Sequence, residues 1–107
     1  MINLRTRLQK KEIVIGSWIT LGHTAIAEIM CKAGFDWLAV DLEHSAITIS
    51  EAEDLIRVIE LSGSTPLVRL ASNNVDQIKR VMDSGAHGVI VPMVNSVSDA
   101  AKAVSAV

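Results

Sequence analysis

The chain has 107 residues, of which 50% are hydrophobic and 21% are charged, and its net charge is −2 at pH 7. This length allows one domain, and the hydrophobic fraction is enough to fill its core. The mild acidity and the absence of Lys/Arg runs exclude an electrostatic footprint for nucleic acid, so we expect no nucleic-acid partner.

Membrane and secretory features are also missing from the sequence. No apolar run reaches the roughly 18–20 residues needed to cross a bilayer, and the first twelve residues lack the apolar segment of a signal peptide. The one cysteine, Cys31, lies among apolar residues at helical spacing. We expect it to be buried, and we predict a cytoplasmic protein with no membrane partner.

Strand-length and helix-length patterns alternate along the first half of the chain. Residues 13–19 (IVIGSWI) predict a strand, because they are rich in β-branched residues between polar flanks. Thr24 is a predicted N-cap, and Gly34 ends the helix that follows. The predicted inward face of that helix consists of Ile26, Ile29, Met30 and Ala33. Residues 37–42 (WLAVDL) predict the second strand.

The second half repeats this alternation. Ser50 with Glu53 predicts a capping box, and the helix then runs to Gly63 with an inward face of Ala52, Leu55, Ile56 and Ile59. Residues 66–70 (PLVRL) predict the third strand. The next helix is predicted to start at Asn74 and to stop at Gly85. Its predicted inward face consists of Val75, Ile78, Val81 and Met82. A fourth strand at 88–92 and a helix from near Ser98, with Ala101 and Val104 inward, complete the pattern.

Four βα units predict a parallel α/β sheet, and its apolar strands favour cover by helices on both faces. Two architectures fit: a complete, doubly wound, flavodoxin-like sheet, or the first half of a (β/α)₈ TIM barrel, which usually takes about 250 residues. The last residues, AAKAVSAV, continue a helical pattern without a stop signal. This favours a truncated sequence, and both architectures stay open on the residues alone.

Candidate site residues follow from the rule that ligands bind at the C-terminal ends of parallel strands. Arg69 lies inside an apolar strand, where an unpaired guanidinium is costly to bury. It therefore needs an anion, either a carboxylate of the neighbouring strand or a substrate oxyanion. Trp18, at the end of the first strand, is a candidate substrate-binding wall or plain core. His87 lies at the opposite end, and we expect it to be structural.

The stretch DLEH after the second strand brings together Asp41, Glu43 and His44. A histidine serves as a general base near neutral pH, and Asp41 is a candidate to fix its tautomer if the chain turns between them. Strand alternation places Glu43 on the same side as Asp41. Two carboxylates there would help to hold a divalent cation or its waters, but they are not a full ligand set.

These pieces together resemble the HpcH/HpaI aldolases, which are metal-dependent class II aldolases of 2-keto acids. The resemblance is carried by GSWIT at 16–20, AGFDWLAVDLEHSAIT at 33–48, PLVRL at 66–70 and QIKRVMDSGAHGVIVPMV at 77–94. It implies a single TIM-barrel domain, of which residues 1–107 would be the N-terminal part with about the first four βα units. It also implies assembly as a hexameric homo-oligomer (a trimer of dimers) and a divalent metal cofactor, Mg²⁺, Mn²⁺ or Co²⁺. The implied reaction is reversible cleavage of a 4-hydroxy-2-oxo acid to pyruvate, or a related 2-keto acid, and an aldehyde.

The resemblance also assigns roles by position. His44 resembles the catalytic base and Asp41 its partner in a dyad, whereas Arg69 resembles the arginine at the enolate oxygen and Glu43 a carboxylate that hydrogen-bonds metal-bound water. The direct metal ligands of such enzymes would lie beyond Val107, so we expect this chain alone to be inactive. Two alternatives stay open: a citrate-lyase β-like acyl-CoA lyase on the same barrel, and a non-catalytic flavodoxin-like binding domain.

Overall fold

The computed structural model describes residues 3–107. Helices and strands alternate through these residues after a first short helix. In chain order the elements are α1 Leu4–Gln9, β1 Gly16–Ile19, α2 Thr24–Lys32, β2 Trp37–Asp41, α3 Ile49–Leu61, β3 Thr65–Arg69, α4 Val75–Asp83, β4 Gly88–Ile90 and α5 Val97–Ala106. None of the helices in this range is both long and apolar enough to cross a membrane.

The four strands form one parallel sheet in the order β1-β2-β3-β4. Each strand thus lies beside the strand that precedes it in the chain, and right-handed crossovers place the intervening helices on one face. This is the arrangement of successive strands in a barrel. A flavodoxin-like sheet reverses its strand order at a switch point, so that alternative is wrong. The expectation of helices on both faces is also wrong.

The two faces of the sheet differ in character because side chains alternate along each strand. Leu38, Val40, Val68 and Leu70 point toward the helices and are fully buried in one core with residues of α2, α3 and α4. The opposite side carries the alternate residues, among them Trp37, Ala39, Asp41 and Arg69. We call this side the open face, and it positions the candidate site.

The helix starts differ in part from the predictions. Asn74 caps α4 as predicted. The capping box of α3 is formed by Thr48 and Glu51, not by Ser50 and Glu53, because the helix begins two residues earlier. The cap of α2 is His23, whose Nδ1 accepts from the main-chain N–H of Ala25, and α5 is capped by Ser96. The helix ends at Gly34, Gly63 and Gly85 are confirmed, each with a positive φ.

The predicted inward faces are confirmed for α3, largely for α4, only in part for α2, and not for α5. In α4, Ile78 and Val81 are buried and Met82 packs against the core, and in α2 the predicted residue Met30 also packs against it. In α3, Ala52, Leu55, Ile56 and Ile59 are all buried. In α2 the buried residues are Ala27 and Cys31, and Ile29 is exposed. In α5 Ala103 is buried, whereas Ala101 and Val104 are exposed. The burial of Cys31 agrees with the prediction.

Helix α1 was not predicted from the sequence, and an ion pair ties it to the N-terminal end of the sheet. Arg7 Nη1 donates to Asp36 Oδ1 at 2.5 Å, and Asp36 Oδ2 accepts from the main-chain N–H of Ile15 at 2.8 Å. The guanidinium holds the pKa of the Asp36 carboxyl below its usual value. A cavity of about 650 Å³ lies between α1, Leu67 and His87, at the opposite end from the candidate site.

Candidate active site

The centre of the site is an ion pair between two neighbouring strands. The register of the sheet places Asp41, the last residue of β2, directly opposite Arg69, the last residue of β3. Arg69 Nε lies 3.1 Å from Asp41 Oδ1, and Arg69 Nη2 lies 2.7 Å from Asp41 Oδ2. The Asp41 side chain is 2% exposed and that of Arg69 is 25% exposed. The pairing is therefore bidentate, with its anion buried and its cation partly open.

Asp41 also fixes the turn that follows β2. Its Oδ1 accepts from the main-chain N–H of Glu43 at 2.9 Å and of His44 at 3.1 Å. The Ser45 hydroxyl donates to the main-chain carbonyl of Asp41 and accepts from the N–H of Ile47. These bonds hold Glu43 and His44 at the C-terminal edge of the sheet.

The same contacts set the ionisation of the pair. The hydrogen bonds from Arg69 are the largest cause, and with the two main-chain donors they outweigh burial and lower the pKa of Asp41 to about 2. The carboxylate in turn raises the pKa of Arg69. Both groups are therefore charged at neutral pH.

Glu43 lies between the arginine and the histidine. Its Oε1 is 3.6 Å from Arg69 Nε and 3.2 Å from His44 Nε2. The predicted pairing of the His44 and Asp41 side chains does not form, since only the main-chain N–H of His44 reaches Asp41. The imidazole lies beside Glu43 instead, and the two oxygens of the buried Asp41 face the guanidinium and the main-chain turn. The imidazole is 69% exposed, so it faces solvent at this edge.

Trp18 completes the cluster from β1. Its ring lies against the guanidinium of Arg69, with Cζ 4.2 Å from the ring centroid, which is cation–π geometry. Trp37 packs edge-to-face on Trp18, with centroids 6.3 Å apart and planes at 88°. Trp18 was a candidate site residue from the sequence, whereas Trp37 was not predicted to be part of the site. The pairing of Gly16 with Trp37 in the register, which the sequence does not reveal, brings the two rings together.

The carboxylates here do not form a metal site by themselves. Residues 3–107 contain no group of three or more His, Cys, Asp or Glu side chains arranged to hold a metal ion. Both oxygens of Asp41 are engaged by Arg69 and the turn. The donor set in this part of the chain therefore does not fit a divalent metal, and the chemistry proposed below uses Arg69, Glu43 and His44.

His87 lies away from the cluster, as predicted. It follows α4 at the N-terminal edge of the sheet, where its main-chain N–H donates to the carbonyl of Pro66. Its Nε2 is 2.9 Å from Glu60 Oε1, and both side chains are partly exposed. His44 and His87 thus have similar histidine–glutamate contacts at opposite ends of the sheet.

Known proteins share this sequence and fold. The chain is 37% identical over 100 residues to a 2-dehydro-3,6-dideoxy-6-sulfogluconate aldolase of Pseudomonas putida, covering 94% of this chain and 39% of the relative. It is 37% identical over 103 residues to a hydroxypyruvate/pyruvate aldolase of Paraburkholderia phytofirmans, covering 94% of this chain and 40% of that protein. This chain thus spans about two-fifths of the length of these curated relatives.

A solved structure agrees with this likeness. An HpcH/HpaI aldolase/citrate lyase family protein from Burkholderia cenocepacia superposes with a TM-score of 0.90 at 33% identity, over 96% of this chain and 41% of that one. The family profile of the HpcH/HpaI aldolase/citrate lyase group matches residues 14–107. With its four βα units in barrel order, the chain therefore belongs to the HpcH/HpaI aldolase/citrate lyase family and has that family's TIM-barrel type of α/β fold.

Proposed function

We propose that this chain is the N-terminal part of a class II aldolase that reversibly cleaves a 4-hydroxy-2-oxo acid to pyruvate, or a related 2-keto acid, and an aldehyde. One observation carries the proposal. Arg69 is a fixed cation at the C-terminal edge of the sheet, held by Asp41 and lying beside Glu43 and His44. The names of the curated relatives, which are aldolases of oxo acids, support it.

Arg69 supplies the positive charge that the reaction needs. Cleavage of the C3–C4 bond leaves its electron pair in the enolate of the 2-keto acid, so negative charge develops on the C2 oxygen. A guanidinium has five N–H donors, and Asp41 engages two of the nitrogens, Nε and Nη2. Nη1 has no hydrogen-bond partner among residues 3–107 and is free to bind that oxygen. A preorganised donor of this kind contributes about 3 kcal/mol in comparable oxyanion sites.

His44 acts as the base. Its exposed imidazole takes the proton of the C4 hydroxyl, directly or through one water, as the C3–C4 bond breaks and the aldehyde forms. The imidazolium then gives that proton to C3 of the enolate, which becomes the methyl or methylene carbon of the keto acid. Glu43, whose Oε1 lies 3.2 Å from Nε2, orients the ring. Asp41 acts through Arg69 and through the turn rather than as the side-chain partner of His44.

A divalent metal, Mg²⁺, Mn²⁺ or Co²⁺, belongs to the proposed whole enzyme. Such an ion acts as a Lewis acid on the keto oxygen in class II chemistry. We place its direct ligands beyond Val107, and Glu43 is the residue of this chain expected to reach it, through a bound water. The oxygens of Asp41 are committed to Arg69.

A hybrid enzyme tests the function. Residues 1–107 would replace the matching segment of the Paraburkholderia phytofirmans hydroxypyruvate/pyruvate aldolase, and pyruvate release from a 4-hydroxy-2-oxo acid would be measured. We expect turnover, and we expect His44→Ala to lower kcat/KM by about 100-fold or more, as loss of a general base does. His87→Ala is the matched control and should leave turnover unchanged. Equal activity of the two variants would remove His44 from the mechanism.

The acyl-CoA lyase is a second candidate, favoured by the family description, which includes citrate lyase. Its chemistry also passes through an enolate, so Arg69 would keep its role. Cleavage of the carbon–carbon bond of a citryl-CoA-type substrate by the hybrid, with its thioester left intact and without cleavage of 4-hydroxy-2-oxo acids, would decide for it.

Assembly and location complete the proposal. We propose a cytoplasmic homo-oligomer, a hexamer built as a trimer of dimers, for the whole enzyme. The free thiol of Cys31 is buried in the core, which agrees with a protein that needs no disulfide. Sedimentation velocity of the intact enzyme at the mass of six subunits would support this state, and a monomeric mass would contradict it.

A further inference from the structure

Two contacts hold the planar guanidinium of Arg69, one along its edge and one against its face. Asp41 binds the Nε and Nη2 edge of its guanidinium, whereas the ring of Trp18 covers one face at 4.2 Å. The edge contact alone leaves the planar group free to tilt about the carboxylate. A ring against its face removes that freedom, so the direction of Nη1 depends on where Trp18 lies.

The contact between Trp18 and Arg69 spans three strands. Trp18 belongs to β1 and Arg69 to β3, and β2 runs between them. The β2 residue opposite Trp18 in the register is Ala39, which is fully buried although it lies on the open face. Its methyl group leaves room for the indole to lean across β2 toward Arg69, whereas a larger side chain would occupy that space.

The position of Trp18 depends in turn on Trp37 and Gly16. The rings of Trp37 and Trp18 pack edge-to-face. It also lies directly on the backbone of Gly16, so closely that a Cβ at this position would overlap ring atoms of Trp37. Any side chain at residue 16 would displace Trp37 and remove the support behind Trp18.

We propose that Trp18 is a positioning residue that orients the Arg69 guanidinium, and that Trp37, seated on the bare backbone of Gly16, holds Trp18 in place. The inference concerns the order of the Arg69 side chain, which is measurable without any substrate. Only its catalytic consequence rests on the proposed function.

The first test is ¹⁵N relaxation of the arginine Nε–Hε groups in this chain. We expect Arg69 to be rigid and shifted upfield by the ring current of Trp18, and Arg57, which is exposed on α3 and pairs with Asp54, to be the mobile internal reference. Trp18→Leu should shift the order of Arg69 toward that of Arg57 without reaching it, because Asp41 still binds Nε and Nη2, and Trp18→Phe should restore most of the loss. Unchanged order of Arg69 in Trp18→Leu would overturn the proposal.

A glycine pair tests the support behind Trp18. Gly16→Ala leaves both indoles and the guanidinium in the chain, yet it should move the Arg69 resonance toward that of Trp18→Leu. Gly88→Ala is the matched control on β4, because its Cβ would meet only the flexible end of Leu67 at 3.3 Å. An Arg69 resonance that responds equally to both changes, or to neither, would remove Gly16 and Trp37 from the proposal.

The second test uses the hybrid aldolase. Trp18→Leu should lower kcat about tenfold while KM stays within about threefold, because the arginine remains present but misdirected. Trp18→Phe should recover most of kcat. An equal loss in Trp18→Leu and Trp18→Phe would contradict positioning by an aromatic face. A hybrid without any aldolase activity would contradict the proposed function. The ¹⁵N relaxation of Arg69 would still decide whether Trp18 orients its side chain.

Discussion

Asp41 combines two structural tasks in one buried carboxylate. It is the counter-ion of Arg69 on the neighbouring strand, and it accepts from the N–H groups that begin the turn to His44. A single proton on this group would weaken both. The site is therefore sensitive to acid at a residue that does not take part in the proposed proton transfer.

The first prediction is an acid-dependent loss of stability caused by Asp41. Its pKa falls from the ordinary 3.8 to about 2 on folding, so its contribution is complete above pH 3.8 and is lost as the pH falls toward 2. The shift corresponds to about 2 kcal/mol of unfolding free energy. Urea denaturation at several pH values should show this slope in the wild type and a flatter one in Asp41→Asn.

The control is Asp54→Asn. Asp54 pairs with Arg57 on the exposed side of α3, where an ion pair contributes little. Its acid slope should match the wild type. A slope between pH 4 and pH 2 that persists unchanged in Asp41→Asn would show that other carboxyls cause it.

At the scale of elements, the sequence predicts that helix α3 has a capping box but does not predict which residues form it. Both Thr48/Glu51 and Ser50/Glu53 have the spacing of a capping box, and local pattern alone does not choose between them. The structure uses the earlier pair, with Glu51 Oε1 accepting from the N–H of Thr48 at 2.9 Å. This choice brings Ile49 into the first turn of the helix.

The second prediction tests that choice. Thr48→Ala should lower the free energy of unfolding by about 1 kcal/mol, because the N–H of Glu51 loses its acceptor. Ser50→Ala, two residues later and exposed within the helix, should change it by only a few tenths of a kcal/mol. Chemical denaturation of both variants measures the difference, and a larger loss for Ser50→Ala would contradict the observed cap.

The order of the strands and helices after residue 12 was predictable because apolar periodicity and glycine stops are local signals. Strand ends were less so: Ile13 and Ile15 continue the pattern of β1, but the register starts at Gly16 opposite Trp37. For α2 and α5, alanines and aliphatic residues lie on several sides of the helix, so the buried side was ambiguous. The α3 face was clear because charged residues fill its other side.

The same division holds for the site. The positions of Asp41, Glu43, His44 and Arg69 at strand ends follow from the sequence, since the strands are parallel. Their pairings do not, because contacts between strands depend on a register that pairs residues 28 apart. The Trp18–Arg69 contact is harder still to predict from the sequence, because the two residues lie on strands that are separated by β2.

For the whole molecule, the sheet has helices packed on one side and an open face on the other. The candidate site on this face contains Arg69 and His44, and residues 3–107 hold no group of three or more His, Cys, Asp or Glu side chains arranged to bind a metal. His44 is mostly solvent-exposed, so water competes with substrate there. In residues 3–107 the groups of the proposed reaction therefore lie at an edge that is open to solvent.

The third prediction is that the purified 107-residue chain shows no detectable retro-aldol turnover, with or without Mg²⁺, Mn²⁺ or Co²⁺. The reason is that the proposed reaction needs a Lewis acid. Asp41 is already bound by Arg69, and Glu43 alone is not a full set of metal ligands. Pyruvate release from a 4-hydroxy-2-oxo acid is the measurement, with the hybrid enzyme as the positive control. Metal-dependent turnover that His44→Ala abolishes would refute it.

The strand order also has a consequence for how the chain folds during its synthesis. Because each strand pairs with the one made just before it, every pairing in the sheet becomes possible as soon as the newer strand has left the ribosome. Within residues 3–107, each strand therefore finds its partner in the βα unit that precedes it, which keeps the sequence separation of these pairings short. Asp41 leaves the ribosome before Arg69, so the buried carboxylate gains its counter-ion only when the third strand arrives.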